Sequence, residues 1–262
     1  MNIKKWAVLG LAALVTAGVV AGCGGEKGAS SASSLRVGMD ASYAPFGSQN
    51  VDTKEYEGFD VDIIRAIAAE EKMPIEIRNL NFDGLIPALT TGDLDIVIND
   101  MTITDERKRS VDFSKPYYIA GLGIVVQKDN NDIHSEKDLS GRRVGVSIGS
   151  TGEEAARKIP GAQVTTYNAI TDAFLDLKNG GVDAVVNDLP VNEYYVAKQG
   201  EGTLKTVDTA LTKEDLGIAV KKGNTKLLDK INSGLEAIKK NGKYQEIYKK
   251  WFGKDVPAEL LK

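Results

Sequence analysis

The sequence predicts an α/β protein of two lobes, in which each lobe is a mostly parallel sheet flanked by helices and two crossover segments join the lobes. Three observations support this prediction. Short β-branched runs alternate with helical patterns, one short strand sequence occurs twice, and two similar apolar segments are spaced as crossings between lobes. Strand, helix and strand in series indicate parallel pairing with helices on the faces of the sheet.

Eight strands are predicted from β-branched runs that are bounded by turn residues. The clearest helix is predicted at residues 59–71, where Ile63, Ile64, Ile67 and Ala68 lie on one apolar stripe. Further helices are predicted near residues 83, 151, 169, 191 and 225, and the predicted strands are 35–39, 75–79, 95–99, 121–128, 143–147, 164–167, 183–187 and 217–221.

The repeated strand sequence reads LDIVIND at residues 94–100 and VDAVVND at residues 182–188. Two copies are too few for a solenoid, which needs at least three stacked units, so the pair indicates two similar lobes. A common turn that enters a buried strand would also produce this pattern. Ligands bind at the carboxyl ends of parallel strands, and the terminal Asp100 and Asp188 are therefore predicted to face one cleft between the lobes.

The two predicted crossings are GLGIVVQK at residues 121–128 and LTKEDLGIAVKKG at residues 211–223, which share the sequence Leu-Gly-Ile. If both segments pass between lobes, the second lobe is an insertion of residues 121–213. The first lobe is then discontinuous and consists of residues 35–120 together with residues 214–262.

The first 34 residues are predicted to lie outside the lobes. Two lysines precede a long apolar run, which is the pattern of a secretory signal peptide over residues 1–22. A retained transmembrane helix is the alternative, since about 17 apolar residues are at the lower limit for a bilayer span. The sequence VAGC at residues 20–23 resembles the bacterial lipobox, which implies that Cys23, the only cysteine, is lipidated. Residues 23–34 are rich in glycine and serine and are predicted to form a flexible tether.

The charge balance excludes several classes of function. The chain has 33 basic and 37 acidic residues, and removal of Lys4 and Lys5 with the signal peptide leaves a net charge near −6. This mild acidity argues against nucleic-acid binding, which needs a concentrated basic face. The single histidine, His134, lies in a polar run, so no structural zinc site and no Cys/His catalytic pair are expected.

Seven stretches resemble the polar amino-acid binding proteins of bacterial ABC importers. The resemblance covers essentially the whole chain after the tether, in order, and it implies the periplasmic binding protein-like type II fold. The stretches are GMDASYAPF (38–46), GFDVD (58–62), NFDGLIPAL (81–89), NDMTITDERKRSVDFSKPYY (99–118), VGVSIGSTGEEA (144–155), VVNDLP (185–190) and NGKYQEIYKKWFG (241–253).

The resemblance implies a site for a free amino acid between the lobes. Arg107, near a helix start capped by Thr104 or Asp105, would hold the ligand carboxylate with two parallel hydrogen bonds. Asp188 would face the α-ammonium, because a buried cation needs a partnered anion. The implied ligand residues are Asp40, Tyr43, Phe82, Asn99, Asp100, Met101, Thr102, Arg107, Ser150, Thr151 and Asp188.

Several of these residues also have alternative roles. Ser150 and Thr151 begin a helix whose free N–H groups suit the ligand carboxylate, although plain N-capping explains the same residues. In related proteins two aromatic side chains, here Tyr43 and Phe82, sandwich the ligand side chain, but both are also ordinary core residues.

Ligand selectivity depends on the acids near the expected side-chain pocket. Asp40 together with Asp100 would favour arginine or another cationic amino acid, with glutamine next. Asn99 and Asp100 stand where several relatives have Ser, Ala or Gly, and strand alternation could point the Asp100 side chain away from the site. Thr102 and the Asp100 carbonyl would supply further hydrogen-bond acceptors.

The resemblance implies a monomeric binding protein without a cofactor, held by its lipid on the outer face of the cell membrane, which delivers its ligand to importer membrane subunits. A dehydratase or lyase on the same fold is the main alternative. Such an enzyme needs a proton donor near a leaving group but no anion opposite an ammonium. A receptor ectodomain is a second alternative, although nothing after Trp251 resembles a membrane span.

Overall fold

The structure is a computed structural model that describes residues 34–200, 202–207 and 210–261. The predicted signal peptide, Cys23 and almost all of the predicted tether lie outside the described residues. In the described part, strands and helices alternate as predicted, and no helix there has the length and apolar content needed to cross a membrane.

Fifteen strands and eight α-helices are described. The strands are β1 Leu35–Met39, β2 Ser42–Tyr43, β3 Gly47–Gln49, β4 Tyr56–Glu57, β5 Ile75–Asn79, β6 Ile96–Val97, β7 Val111–Phe113, β8 Tyr118–Ala120, β9 Leu122–Gln127, β10 Arg143–Ser147, β11 Gln163–Tyr167, β12 Ala184–Asp188, β13 Leu204–Thr206, β14 Glu214–Leu216 and β15 Ala219–Lys221. The helices are α1 Phe59–Glu70, α2 Phe82–Thr91, α3 Asp105–Ser110, α4 Thr151–Lys158, α5 Ile170–Lys178, α6 Leu189–Lys198, α7 Thr225–Lys240 and α8 Lys243–Phe252.

The first sheet has the strand order β5-β1-β6-β15-β7. Its strand β1 pairs in parallel with β5 and β6, whereas β15 pairs antiparallel with β6 and β7. Four of its strands lie before residue 114 and the fifth is β15, at residues 219–221. A late segment of the chain therefore lies inside a sheet that is otherwise built from the first strands.

The second sheet has the order β11-β10-β12-β9-β13 and uses residues 122–206. Strand β10 pairs in parallel with β11 and β12, while β9 pairs antiparallel with β12 and β13. All five strands follow one another in a single part of the chain. The two sheets have the same pattern, with β1 and β10 as the equivalent parallel strands.

Each sheet is mixed, with two parallel and two antiparallel pairings, rather than mostly parallel as expected. Parallel pairing needs a long crossover connection, usually a helix. Strands β9 and β15 follow other strands after only one and two residues, so no helix returns them to the parallel direction. Strands β9 and β15 thus each enter a large sheet from the linking pair and lie antiparallel between two of its strands, β12 and β13 or β6 and β7.

Strands β8 and β14 form a separate two-stranded antiparallel sheet, which we call the linking pair. It precedes β9 on one side and β15 on the other, so the chain passes between the two large sheets on both of its strands. Gly121 follows β8 where the backbone of Thr212 approaches, and a side chain at Gly121 would collide with the Thr212 carbonyl. Strand β8 ends one residue before the first segment predicted as a crossing, and β14 lies inside the second.

An aromatic cluster anchors the C-terminal helix α8 against the linking pair. The ring of Phe59 packs edge-on against Tyr118 and Phe252, with centroid separations of 5.7 and 5.0 Å. The hydroxyl of Tyr244 donates a 2.6 Å hydrogen bond to the carbonyl of Tyr117. Edge-to-face rings add stabilisation beyond the apolar area that they bury. Helix α8 therefore holds one side of the linking pair firmly on the first sheet.

Candidate functional site

Both Asn-Asp doublets lie at the ends of strands, as the repeated sequence predicts. Asp188 is the last residue of β12 and the N-cap of α6, and Asp100 follows the end of β6 by three residues. Their exposed fractions are 5% and 3%. The preceding asparagines are also buried, and Asn99 accepts the backbone N–H of Asp40 through its side-chain oxygen at 2.5 Å.

Asp100 has a left-handed backbone with φ of +50°. Its N–H donates a 2.8 Å hydrogen bond to the carboxylate of Asp60, which lies in the first turn of α1. Both side-chain oxygens of Asp100 are buried and have no hydrogen-bond partner among the described residues. Aspartate tolerates the left-handed region better than most residues, and this turn ends the strand alternation that made its orientation uncertain.

Burial and neighbouring carboxylates raise the pKa of Asp100 in this region. Burial raises the pKa of Asp100 well above its usual value, and the negative charges of Asp188, Asp60 and Glu214 raise it further. Burial also raises the pKa of Asp60 to about 7. Such a group of acids is costly unless a cation joins it, because each buried anion needs a partner.

Asp188 has a pKa of about 8, raised first by burial and then by the charge of Glu214. The guanidinium of Arg107 acts in the opposite direction and lowers the pKa of Asp188. One carboxylate oxygen of Asp188 is buried without a partner in the described part of the chain. The end of β12 therefore presents a buried carboxyl group, with one oxygen unpaired in the described part of the chain, to the region that contains Arg107.

Arg107 lies in the first turn of α3, and its backbone N–H donates to the side chain of the N-cap Thr104 at 3.1 Å. Of the two predicted caps, the structure selects Thr104. The Arg107 side chain is 7% exposed. Its two terminal nitrogens donate to the carbonyl of Thr102 at 2.9 Å and to that of Gly149 at 3.0 Å. One guanidinium therefore joins the end of the first sheet to the turn after β10.

Ser150 is the N-cap of α4 and accepts the N–H of Glu153 through its hydroxyl at 3.1 Å. The plain capping role considered for this residue is present in the structure. Gly152, in the first turn, packs so closely against the carbonyl of Val186 that a β-carbon would lie 2.7 Å from it. The start of α4 is thereby held against β12, the strand that ends in Asp188.

Glu214, in the linking pair, connects three threonine hydroxyls. Thr102 and Thr151 donate to one carboxylate oxygen at 2.6 and 2.9 Å, and Thr212 donates to the other at 2.8 Å. The sequence analysis missed Glu214 because its segment was interpreted only as an apolar crossing. Glu214 could have been found from its place in the segment predicted as a crossing, because a carboxylate in a segment that joins two lobes lies near both of them.

Asp40 was expected to lie beside the ligand side chain, but its carboxylate is engaged with the protein backbone. The Asp40 carboxylate accepts the backbone N–H groups of Ser42 at 2.9 Å and Phe82 at 3.0 Å, which places it at the start of α2. Burial raises the pKa of Asp40. Both of its oxygens are thus already engaged in holding the local backbone.

Tyr43 and Phe82 stack directly on each other, with ring centroids 5.5 Å apart and an angle of 27° between the planes. A planar group held between two rings needs them roughly 7 Å apart, at about 3.5 Å per contact. The predicted sandwich is therefore not formed in this arrangement. The Arg107 guanidinium lies 5.2 Å from the Phe82 ring centroid and covers part of that ring.

Met101 is fully buried in the hydrophobic core and belongs to the same cluster as Tyr43 and Phe82. Its carbonyl accepts the N–H of Gly217 at 3.0 Å. The structure therefore gives its side chain a packing role, although it was predicted as a ligand contact. In the described residues no group of His, Cys, Asp or Glu has an arrangement that could hold a metal ion.

A cavity of about 600 Å³ lies beside the linking pair. Its lining includes Tyr118, Gly121, Pro190 and Trp251 but none of the predicted ligand residues. The region of Arg107, Asp188 and Glu214 is instead closed by their own contacts. The predicted ligand residues therefore lie at the closed region and not at the cavity.

Comparisons with known proteins show the same organisation. The family model described as bacterial extracellular solute-binding proteins, family 3, matches residues 35–254. A probable histidine-binding protein of Neisseria gonorrhoeae is 35% identical over 266 residues, covering 97% of this chain and 98% of that protein. An ancestral arginine-binding protein is 46% identical over 84% of this chain and 98% of its own, with TM-scores of 0.81 bound to arginine and 0.82 bound to glutamine. These structures confirm the predicted two-lobed α/β fold.

Proposed function

The chain belongs to the bacterial extracellular solute-binding proteins, family 3, and from that premise we propose that it captures a polar or basic L-amino acid for an ABC importer. Arginine or glutamine is favoured. One observation carries the proposal: the buried Arg107 of α3 stands near the buried Asp188 at the end of β12, whose carboxyl group has an oxygen without a partner among the described residues. An α-amino acid carries the two complementary charges, a carboxylate and an ammonium, close together.

The proposed roles follow from the charges. The Arg107 guanidinium has five N–H donors, and two of them bind the carbonyls of Thr102 and Gly149. Three donors therefore remain for the ligand carboxylate. Asp188 and Asp100 have oxygens without partners among the described residues, and these suit the α-ammonium. A ligand with a second positive charge on its side chain would neutralise more of the acids, which favours arginine. The relatives named for histidine and arginine support a basic ligand.

The proposed lobes are residues 35–120 with 214–262, and residues 121–213. The distribution of strands over the two large sheets supports these boundaries, and the linking pair is the proposed hinge. The contacts of Arg107 with Gly149 and of Glu214 with Thr151 join the halves. We propose that the ligand stabilises this closed form by its greater affinity for it, and that importer subunits recognise the closed form.

A dehydratase or lyase is the second candidate, and one observation favours it. With a pKa of about 8, Asp188 holds a proton at neutral pH and could serve as a general acid. The binding function accounts for the same feature, because an ammonium beside Asp188 would restore its charge. We therefore propose that the protein is not an enzyme and needs no cofactor.

A thermal-shift screen of the twenty amino acids against residues 24–262 tests the proposed function. A ligand at one hundred times its dissociation constant adds about 2.7 kcal/mol to the free energy of unfolding, and we expect arginine to produce the largest shift. Citrulline, which has the shape of arginine without the side-chain charge, is the matched control and should shift the melting temperature less. Stabilisation by no amino acid, together with turnover of a prephenate-like acid, would favour the lyase.

We further propose that Cys23 is lipidated after removal of residues 1–22 and that the monomeric protein is held on the outer face of the cell membrane. The lipobox-like sequence supports this proposal, and the family consists of extracellular proteins. Cys23→Ser should release the protein from the membrane fraction without changing its affinity for amino acids, because one acyl anchor does not thread the bilayer. Retention in washed membranes of a Cys23→Ser protein from which residues 1–22 have been removed would contradict a lipid anchor.

A further inference from the structure

We propose that Glu214 sets the hydrogen-bond direction of the Thr102 and Thr151 hydroxyls, so that both present acceptors to the α-ammonium of the ligand. The inference rests on the proposed function and adds a positioning residue to it. Glu214 acts through the two threonines rather than by touching the ligand itself.

The geometry brings both hydroxyls to a single oxygen atom. Oε2 of Glu214 accepts from Oγ1 of Thr102 at 2.6 Å and from Oγ1 of Thr151 at 2.9 Å. Thr102 forms a bridge to Leu216 beside the first sheet, while Thr151 begins α4 on the second sheet. Hydroxyls from opposite halves of the molecule thus share one acceptor in the linking pair.

A carboxylate can only accept hydrogen bonds, whereas a hydroxyl has one proton and two lone pairs. Since Thr102 and Thr151 each give their single proton to Glu214, only lone pairs remain for other partners. Their free directions are therefore those of acceptors. An ammonium has three donors and no acceptor, so it fits this arrangement, whereas a carboxylate is repelled by the same lone pairs.

The Glu214 side chain is itself held in place. Its second oxygen accepts from Thr212 at 2.8 Å, and its backbone pairs with Ala120 across the linking pair. The charge of Glu214 also raises the pKa values of Asp188 and Asp100, which shows that it lies close to the proposed ammonium partners. The ligand carboxylate is then left to Arg107 and to backbone N–H groups at the start of α4.

Glu214→Gln tests this inference with arginine and its desamino analogue, δ-guanidinovalerate, as a pair of ligands. The amide keeps the size of the side chain but removes the negative charge that holds both hydroxyl protons and replaces one acceptor oxygen by an N–H donor. We expect isothermal titration to show arginine binding weakened by at least about tenfold, or about 1.4 kcal/mol. The analogue lacks the α-ammonium, so its affinity should change by less than about twofold.

The ratio of the two affinities is the readout that a merely structural role would not change. Glu259→Gln is the matched control. Glu259 forms an ion pair with Lys213, the residue before Glu214, at 3.1 Å, and its substitution removes the same negative charge. It should leave both affinities unchanged. Equal weakening of arginine and the analogue in Glu214→Gln, or tighter arginine binding, would overturn the inference.

Thr151→Val provides a second route if Glu214→Gln folds poorly. It removes one of the two hydroxyls at constant shape and should produce the same selective loss for arginine. In the double variant Glu214→Gln/Thr151→Val the two losses of arginine affinity should not add, because both substitutions remove the same Thr151–Glu214 hydrogen bond. Full additivity contradicts the inference.

If the wild-type protein binds no amino acid, the proposed function and this inference both fail, whereas failure of the inference alone leaves wild-type binding intact.

Discussion

Arg107→Lys is expected to weaken amino-acid binding by at least about tenfold, which corresponds to about 1.4 kcal/mol. The guanidinium donates through separate nitrogens to the carbonyls of Thr102 and Gly149 and still has donors for a carboxylate. A lysine has one nitrogen with three donors and cannot copy this planar arrangement. Isothermal titration of both proteins with arginine measures the difference.

Arg109→Lys is the control for this substitution. Arg109 lies two residues further along the same short helix and is exposed, so the same chemical change there should leave the affinity unaltered. Wild-type affinity in the Arg107→Lys protein would remove Arg107 from the site. A loss in both variants would instead point to a general weakening of helix α3.

Asp188→Asn is expected to have a larger effect and to weaken binding by at least about 30-fold. Removal of one member of a buried, hydrogen-bonded charge pair costs about 2 kcal/mol or more, since the other charge is left without its partner. In this case the unpaired charge is the α-ammonium of the ligand. Isothermal titration with arginine gives the magnitude, and the desamino analogue should be affected much less.

The stability of the Asp188→Asn protein should change in the opposite direction. Without ligand, burial raises the pKa of Asp188 to about 8, far above that of an aspartate in the unfolded chain, so its ionisation lowers the free energy of unfolding as the pH rises and does so fully above pH 8. Asparagine has no charge to bury, and the free energy of unfolding by urea above pH 8 should be equal to or higher than that of the wild type. Lower stability combined with weak binding would indicate misfolding rather than the loss of a ligand contact.

Glu193→Gln is the matched control for Asp188→Asn. Glu193 is exposed on helix α6, the helix that Asp188 caps. It carries the same charge on the same element but lies away from Arg107. Neither affinity nor stability should change by more than the error of the measurements, as is usual for surface substitutions.

Three of the predicted strands match the structure residue for residue. The predicted ranges 35–39, 75–79 and 143–147 coincide with β1, β5 and β10. By contrast, β2, β3 and β4 have two or three residues each, too few to show any periodicity in the sequence. The predicted strand 95–99 is reduced to β6, because the chain leaves the ladder as it turns into the left-handed Asp100.

The members of the candidate site were predicted mainly from the family resemblance, and only the repeated Asn-Asp doublet indicated Asp100 and Asp188 from the sequence pattern itself. Arg107, Asp100 and Asp188 occupy distinctive motifs, and the structure brings them into one region. The contact of Tyr43 with Phe82 depends on how two distant segments pack, which no local pattern contains. Glu214 has its partners 112 and 63 residues earlier in the chain, so its role arises only from the three-dimensional arrangement.

The position of β15 inside the first sheet has a consequence for the order of folding during synthesis. Ribosomes make the chain from its N-terminus, and β15 lies between β6 and β7, so β7 has no neighbour to pair with until residue 221 has emerged. The second sheet needs nothing beyond β13 and can form earlier. The half that is translated first is therefore completed last, and until then the open edges of β6 and β7 are exposed to pairing with other nascent chains.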